Sequence, residues 1–306
     1  HVRSPFGITY MPTFSFLDDY SEGCHPQILD ALVQTNLVQQ TAYGDDSYSI
    51  EARRLIREQV GNNDAGVYFV ASGTLANIIS IASCLRPHEA VIAATSGHIV
   101  MRETGAIEAA GHKIITMPSS NGKLTPDDVQ AALDSNAHFP HMTRPRLVYI
   151  SNATEFGTVY TKAELQALSN ICKANTLFLF LDGARLGTAL SAPKSDLTLA
   201  DIASFTDMFW IGGTKAGALF GEAIVVCNPA LDDDFAFHIK QRGALLAKGR
   251  ALGVQFLELF KGNLYFDATE HANAMAAQLS SGVKEHGYAL AAPTESNQCF
   301  RFSPMR

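Results

Sequence analysis

The sequence lacks an apolar run long enough to cross a lipid bilayer. Its longest apolar stretch, residues 176–181, is far shorter than the roughly 20 residues that a membrane-spanning helix needs. Basic residues are also in the minority, since 23 Lys and Arg stand against 30 Asp and Glu and give a formal net charge of −7. Proteins that bind nucleic acid through phosphate contacts usually carry the opposite sign, and no cluster of Lys and Arg makes a local exception. We therefore expect neither a membrane protein nor a nucleic-acid-binding protein.

Cysteine is scarce and irregularly placed. The five cysteines are odd in number and have no CxxC spacing: Cys24, Cys84, Cys172, Cys227 and Cys299. This pattern indicates neither a disulfide framework nor a thiolate zinc site, so we expect a reducing compartment and no metal centre. The N-terminal residues also lack the basic-then-apolar pattern of a secretory signal. The expected location is the cytoplasm.

What the sequence does have is enough apolar material for a large core. Apolar residues make up 47% of the 306 residues and charged residues 17%, which excludes a disordered chain. Short apolar runs alternate with helical patterns, as in an α/β fold with a mainly parallel sheet. The predicted strands are residues 67–70, 90–94, 113–117, 147–150, 176–181, 207–211 and 223–227.

After residue 228 the pattern changes to two long predicted helices, at residues 237–259 and 269–286. We therefore predict an N-terminal segment at 1–25, a large α/β domain at 26–228 and a third part at 229–306. The third part is expected to contain a linking helix and part of a smaller C-terminal α+β domain.

Asp182 and Lys215 form the strongest pair of candidate site residues. Each follows a predicted strand, and open α/β sheets bind ligands at the carboxyl ends of their strands. A lysine after a glycine pair can form an imine, and a carboxylate at a strand end can pair with a protonated pyridine nitrogen. Pyridoxal phosphate (PLP) requires both groups. A single lysine in a glycine-rich loop is usually a solvated surface charge, so the prediction depends on the pair.

A second feature is the small polar turn Ala71-Ser72-Gly73-Thr74, which lies between a predicted strand and a predicted helix. Free backbone N–H groups and the helix dipole at such a turn can bind phosphate. Ser72 or Thr74 could equally be a plain N-cap, because many helices start in this way. The turn is neither a Walker loop nor a GxGxxG fingerprint, which argues against a nucleotide-binding fold.

Five motifs follow one another along the chain. They are Tyr43-Gly44-Asp45-Asp46, Ser72-Gly73-Thr74-Leu75-Ala76-Asn77, Gly97-His98, Asp182-Gly183-Ala184-Arg185 and Gly213-Thr214-Lys215. In this order they resemble the low-specificity L-threonine aldolases, which are fold-type-I PLP enzymes of the beta-eliminating lyase superfamily. The resemblance covers the chain from about Asp19 to Gln298. It implies a PLP-dependent transferase-like large domain with a smaller C-terminal α+β domain.

The resemblance implies roles for the residues of these motifs. Lys215 would carry PLP as a Schiff base, and Asp182 would keep the pyridine nitrogen protonated. Arg185 would lie near the phenolic oxygen of PLP or near the substrate, and His98 would stack on the ring. Without the resemblance, Arg185 fits a salt-bridged arginine at a helix start and His98 fits an ordinary loop residue. The phosphate would be bound by Ser72, Gly73, Thr74 and Thr214.

Further candidates come from shorter matches to the family. His141 could act as a base on the substrate hydroxyl, hold a bridging water or be a solvent-exposed loop residue. Glu103 could join the proton network or lie on a helix surface. Asp18 and Asp19 lie near a position at which the family contacts substrate. The family also carries an arginine for the substrate carboxylate near the end of this sequence. Arg301 or Arg306 could be that arginine, or the segment could lie beyond the sequence given.

The resemblance also implies an oligomer. Tyr43 would reach the site of a neighbouring subunit, and a basic residue of the segment 240–250 would reach the phosphate there. Arg242, Lys248 and Arg250 are the candidates, and the sequence does not choose among them. The expected assembly is a homodimer or homotetramer with active sites at the subunit interface.

The implied reaction is the reversible aldol cleavage of L-threonine or L-allo-threonine to glycine and acetaldehyde. One alternative is β-elimination by another PLP-dependent lyase on the same scaffold. The other is a non-catalytic binding protein with a PLP fold. The intact set of Lys215, Asp182 and Arg185 argues against the binding protein, because it would not need the imine-forming lysine.

Overall fold

A computed structural model describes residues 14–300, which form an α/β fold around one sheet. The order of the strands across the sheet is β1-β7-β6-β5-β4-β2-β3. Strand β7 runs antiparallel to both of its neighbours, and the pairings among β6, β5, β4, β2 and β3 are parallel. The prediction of a mainly parallel sheet is confirmed. The strands are β1 (Gly66–Val70), β2 (Glu89–Ala94), β3 (Lys113–Met117), β4 (Arg144–Ser151), β5 (Phe178–Asp182), β6 (Met208–Gly212) and β7 (Glu222–Val226).

Twelve α-helices precede, connect and follow the strands among the described residues. They are α1 (Pro26–Thr35), α2 (Ser47–Val60), α3 (Gly73–Cys84), α4 (His98–Met101), α5 (Ala106–Ala109), α6 (Pro126–Ser135), α7 (Lys162–Ala174), α8 (Leu186–Leu190), α9 (Leu199–Phe205), α10 (Phe235–Gln241), α11 (Arg250–Phe260) and α12 (Leu264–Glu285). Within residues 14–300, no helix combines the length and the apolar character needed to cross a membrane.

The sheet is covered on both faces because its strands carry apolar residues at successive positions. Alternate residues of a strand point to opposite faces, so Ile92 and Ile150 enter one apolar cluster while Val91 and Tyr149 enter the other. Helices α1, α2, α6, α7, α9 and α11 contribute to the first cluster. Helices α3, α4, α5 and α10 contribute to the second. This arrangement leaves the ends of the strands as the accessible part of the sheet.

Local sequence fixes where several of these helices begin. Thr125, Thr161 and Thr198 each form a capping box at the start of α6, α7 and α9. In each box the threonine hydroxyl accepts a hydrogen bond from the backbone N–H three residues on, and the acidic residue there bonds back to the threonine N–H. These helices therefore start at fixed points after β3, β4 and β5.

The carboxyl ends of the parallel strands meet at one edge of the sheet. Strand β4 ends there at Ser151, β5 at Asp182 and β6 at Gly212. The connection from β6 to the antiparallel β7 consists of residues 213–221, and it carries Lys215. Asp182 and Lys215 therefore lie at the same edge, as the sequence predicts.

The prediction of one helix over 237–259 is wrong. Helix α10 ends at Gln241, and Gly243 follows with a φ of 70°, a left-handed conformation that glycine adopts without strain. Helix α11 begins only at Arg250 and packs against α1 and α2. Helix α2 was not predicted, although Asp46 caps it by accepting a hydrogen bond from Ser49 N–H at 2.8 Å. The division of the chain after residue 228 remains a prediction.

Candidate active site

A cavity of about 260 Å³ lies at the carboxyl edge of the sheet, beside the N-terminus of α3. Its wall is made by the ends of β4, β5 and β6 and by the connection that follows β6. Cavities at this edge are the usual ligand sites of open α/β sheets. The predicted site residues that line it are Ser72, Gly73, Thr74, His98, Asp182, Arg185, Thr214 and Lys215.

Three hydrogen bonds fix the buried carboxylate of Asp182. Its Oδ2 accepts one from the Tyr149 hydroxyl at 2.6 Å and one from Asn77 Nδ2 at 3.0 Å. Its Oδ1 accepts one from Ala184 N–H at 3.0 Å. Burial, together with the neighbouring Asp182, holds the pKa of Tyr149 far above its usual value, so the phenol stays a donor. The carboxylate is thereby held in one orientation at the cavity wall.

A second buried carboxylate, that of Glu103, holds His98. Atom Nδ1 of His98 lies 2.7 Å from Oε1 of Glu103, whose side chain is fully buried. This hydrogen bond raises the pKa of His98 above its usual value, although burial acts in the opposite direction. Asn77 Nδ2 also donates to Glu103 Oε1 at 2.7 Å, while Asn77 Oδ1 accepts from the Trp210 indole N–H at 3.1 Å. Asn77 therefore connects the carboxylates of Asp182 and Glu103, and the role of Glu103 in a proton network stays a prediction.

The N-terminus of α3 forms the polar end of the cavity. Ser72 is the N-cap, and its hydroxyl oxygen accepts a hydrogen bond from Leu75 N–H at 3.4 Å. A Cβ at Gly73 would come within 2.8 Å of the Trp210 ring, so a glycine lets the backbone approach the indole here. The hydroxyl of Thr214 is already engaged, because it donates to Glu222 at 2.8 Å and accepts from Gly221 N–H at 3.0 Å.

The amine of Lys215 is half-buried in the same cavity. Its nitrogen lies 5.7 Å from the centre of the Tyr20 ring. Burial, followed by the charge of Arg185, lowers the pKa of Lys215 below its usual value. Three carboxylates act in the opposite direction, those of Asp19, Asp182 and Glu222. A lowered pKa makes the neutral, nucleophilic form of the amine more available.

Arg185 forms a bidentate ion pair with Asp19 rather than with Asp18. Its Nε and Nη2 donate to the Asp19 carboxylate at 2.6 and 3.0 Å, and Asn297 Nδ2 donates to the same group at 2.9 Å. Burial alone would raise the pKa of Asp19, but Arg185 brings it below its usual value. Asp18 instead contacts the Tyr20 hydroxyl and does not line the cavity. Asp19 does not line the cavity either, but of these two aspartates it is the one that contacts a cavity residue, Arg185.

The structure does not bring His141 into the cavity of its own chain. His141 is exposed and precedes β4, whereas the cavity lies at the Ser151 end of that strand. Its ring lies 4.8 Å from that of His138. The full length of a strand therefore separates His141 from Asp182 within one subunit.

The residues expected to cross to another subunit also lie outside this cavity. Tyr43 is exposed, with Lys240 Nζ 5.1 Å from the centre of its ring. Arg250 donates to the backbone carbonyls of Thr35 and Val38, which leaves it engaged inside its own chain. Lys248 is exposed, and the Arg242 Nε is buried without a hydrogen-bond partner among the described residues. Arg301 and Arg306 lie outside the described residues.

Two further acidic residues line the cavity and were not predicted. Glu155 accepts hydrogen bonds from His98 N–H and from the Ser151 hydroxyl, both at 2.8 Å, and its burial raises its pKa above the usual value. Glu222 is the first residue of β7. In the sequence, Glu155 and Glu222 each stand beside an apolar segment, and no motif marks them as site residues. Of these three carboxylates, only Asp182 directly follows a predicted strand, which is the pattern that indicated a site residue.

The donors and acceptors of this cavity fit PLP. Asp182 is an acceptor suited to the protonated ring nitrogen, Lys215 is an amine suited to the carbonyl carbon, and the backbone N–H groups at the start of α3 suit a phosphate. The cofactor prediction therefore agrees with the chemistry of the residues present.

Known proteins resemble this chain over most of its length. The profile of the beta-eliminating lyase family matches residues 17–304. A low specificity L-threonine aldolase of a Pseudomonas species is 35% identical over 92% of this chain and 82% of its own. The one of Pseudomonas aeruginosa is 33% identical over 94% and 84%. The structure of a Leishmania major threonine aldolase is 53% identical, with a TM-score of 0.93 over 94% of this chain and 84% of that one. The chain therefore belongs to the beta-eliminating lyase family, among its threonine aldolases.

Proposed function

We propose that the protein uses PLP to cleave L-threonine and L-allo-threonine to glycine and acetaldehyde. The observation that carries this proposal is the meeting of Asp182, Lys215 and Arg185 in one cavity. The names of the similar proteins, which are threonine aldolases, support the same reaction. Nothing at the site favours β-elimination over aldol cleavage.

Different residues of the cavity hold the cofactor and bind the substrate. When bound, PLP supplies an electron-withdrawing ring that accepts charge from bonds at the α-carbon of an amino acid. Asp182 would hold a proton on the ring nitrogen, because its carboxylate is fixed by Tyr149, Asn77 and the backbone. Lys215, which lines the same cavity, would attach the cofactor through its amine.

The orientation of the substrate decides which bond at its α-carbon breaks. We assign the binding of the substrate carboxylate to Arg185, which lines the cavity and would exchange the carboxylate of Asp19, its present bidentate partner, for that of the substrate. His98 covers the cavity from the start of α4, and Glu103 fixes its ring. A base for the substrate hydroxyl must lie on the substrate side of the cavity, and His141 can serve there only from a second copy of the chain.

We further propose a homodimer or homotetramer that works in the cytoplasm. The oligomer is supported by the placement of His141, Tyr43 and Lys248, all of which are exposed in the single chain. The cytoplasmic location is supported by the cysteines, all five of which are free thiols in the structure. Light scattering of the PLP-loaded protein will give the mass of the assembly.

The first test is acetaldehyde release from L-threonine and L-allo-threonine by the PLP-loaded protein. We expect acetaldehyde and glycine in equal amounts, and the two rates rank the substrates. Lys215→Ala is expected to abolish turnover, and Lys162→Ala, which removes an exposed lysine that does not line the cavity, is expected to leave it unchanged. A PLP-loaded protein that releases no acetaldehyde from either substrate would contradict the aldolase and point to another lyase.

A further inference from the structure

Glu222 lies at the point where the chain returns from the connection that carries Lys215. The antiparallel pairing of β6 and β7 places Gly212 opposite Glu222, so these two residues close the loop 213–221. The loop is tied at its base, because the N–H groups of Gly213 and Thr214 both donate to the Gly221 carbonyl at 3.1 Å. A side chain at position 222 can therefore affect the conformation of the whole loop 213–221.

The carboxylate of Glu222 binds the two residues that precede the lysine. Its Oε2 accepts from Gly213 N–H at 2.9 Å, and its Oε1 accepts from the Thr214 hydroxyl at 2.8 Å. The Thr214 oxygen in turn accepts from Gly221 N–H at 3.0 Å, so the start and the end of the loop are joined through it. Glu222 is only 4% exposed and lines the cavity. A buried carboxylate with two donors at fixed distances leaves the loop little freedom.

We infer that Glu222 is a positioning residue for Lys215, which fixes the conformation of the lysine's loop and places a negative charge near the nitrogen that binds PLP. This inference rests on the proposed function only in taking Lys215 as the residue that carries the cofactor. It does not depend on which substrate is cleaved.

The charged groups around Lys215 and Glu222 determine in which direction the pKa of the Lys215 nitrogen should shift. Lys215 faces Arg185, the carboxylates of Asp19, Asp182 and Glu222, and the ring of Tyr20. Glu222 faces Lys215, Asp182 and the hydroxyl of Tyr265. Burial raises the pKa of Glu222 to about 7, so this carboxyl group ionises near neutral pH. A negative charge favours the protonated form of a nearby nitrogen, and its removal lowers the pKa of that nitrogen.

The test is a pH titration of the visible absorbance of bound PLP, without substrate, in the wild type and in Glu222→Gln. Glutamine has nearly the same shape but carries no charge, and its amide nitrogen replaces one of the two acceptor oxygens. We expect the midpoint of the absorbance change to move to lower pH by on the order of one pH unit. A midpoint that is unchanged or moves to higher pH overturns the inference.

A second variant separates the effect of position from that of charge, and a third serves as the control. Glu222→Asp keeps the charge but cannot reach both donors, so it should keep the wild-type midpoint and release PLP several-fold more readily on dialysis. It also tests the inference if Glu222→Gln fails to fold, since unchanged PLP retention in Glu222→Asp would overturn it. Glu89→Gln is the matched control, because Glu89 is also a buried carboxylate, 6% exposed, that accepts a hydrogen bond from Arg86 N–H at 2.9 Å. It is the first residue of β2 and so lies at the edge of the sheet opposite the cavity. Glu89→Gln should change neither the midpoint nor PLP retention.

The spectrum also separates this inference from the proposed reaction. If the wild type binds PLP and titrates but cleaves no threonine, the reaction is wrong and Glu222 can still be tested. If the wild type cleaves threonine and Glu222→Gln keeps the wild-type midpoint, the inference alone is wrong.

Discussion

At the scale of single residues, the site depends on carboxylates that are buried and hydrogen-bonded. Asp182 and Glu103 share the amide of Asn77, so neither carboxylate is independent of the other. Leaving a buried acceptor without its donor costs about 1–3 kcal/mol, and replacing Asn77 would remove a donor from both carboxylates at once. Asn77 therefore matters to the site although it is a neutral residue.

Glu103→Gln is expected to lower the pKa of His98 toward its usual value, because the hydrogen bond from the carboxylate is the main cause of its rise. The change removes charge with little loss of contact, since Glu103 Oε2 has no hydrogen-bond partner among the described residues. In the pH range between the two values, His98 is protonated in the wild type and neutral in the variant. NMR titration of the His98 ring, assigned by its loss in His98→Asn, measures the shift.

Glu108→Gln is the control for this prediction, because it removes an exposed carboxylate nearby in the chain. It should leave the titration of His98 unchanged. An unaltered His98 titration in Glu103→Gln would show that Glu103 does not set its protonation.

At the scale of elements, much of the fold was predictable because strands and helices depend on local patterns. The apolar runs gave all seven strands to within a few residues, and the ends of β5 and β6 placed Asp182 and Lys215 at one edge. The same reasoning failed for α10 and α11, since an apolar helical pattern continues through Gly243 although the backbone there is left-handed.

Contacts between residues distant in sequence could not be predicted from local patterns. Asn77 reaches Asp182 across 105 positions and Trp210 reaches Asn77 across 133, and no nearby residue signals either contact. His141 is a different case, because it precedes its strand while ligands bind at the carboxyl ends of strands, so the local pattern already placed it away from the cavity and only the family resemblance suggested its role.

The start of α7 gives a prediction that concerns stability alone. Thr161→Ala removes the hydroxyl of a capping box and should lower the free energy of unfolding by about 1 kcal/mol. Thr161→Ser keeps a hydroxyl and should retain most of it. Denaturant unfolding followed by circular dichroism gives the values. The PLP absorbance should be the same in both variants, and a change in it would contradict a role limited to the helix.

At the scale of the whole molecule, the cavity of the single chain lacks one of the predicted catalytic residues, His141. His141 and Lys215 belong to different ends of the same sheet, so only a second subunit can bring a histidine at position 141 to the cavity. Closed oligomers repeat such a contact at every site.

Mixing Lys215→Ala with His141→Phe subunits tests this arrangement. We expect each variant alone to be inactive or nearly so, and the mixture to regain activity in sites that take Lys215 from one subunit and His141 from the other. In a randomly mixed dimer, about one quarter of the sites would be intact. Full activity of His141→Phe alone, or no recovery in the mixture, would contradict a shared site.

The link from Trp210 through Asn77 to Asp182 has a practical consequence. The sequence contains one tryptophan, and its indole lines the cavity while it donates to Asn77. Fluorescence excited at wavelengths absorbed only by indole therefore comes from a single ring at the edge of the active site. PLP bound in this cavity would lie close enough to that ring to accept its excitation energy, so the emission should report the loading of the site without any added label.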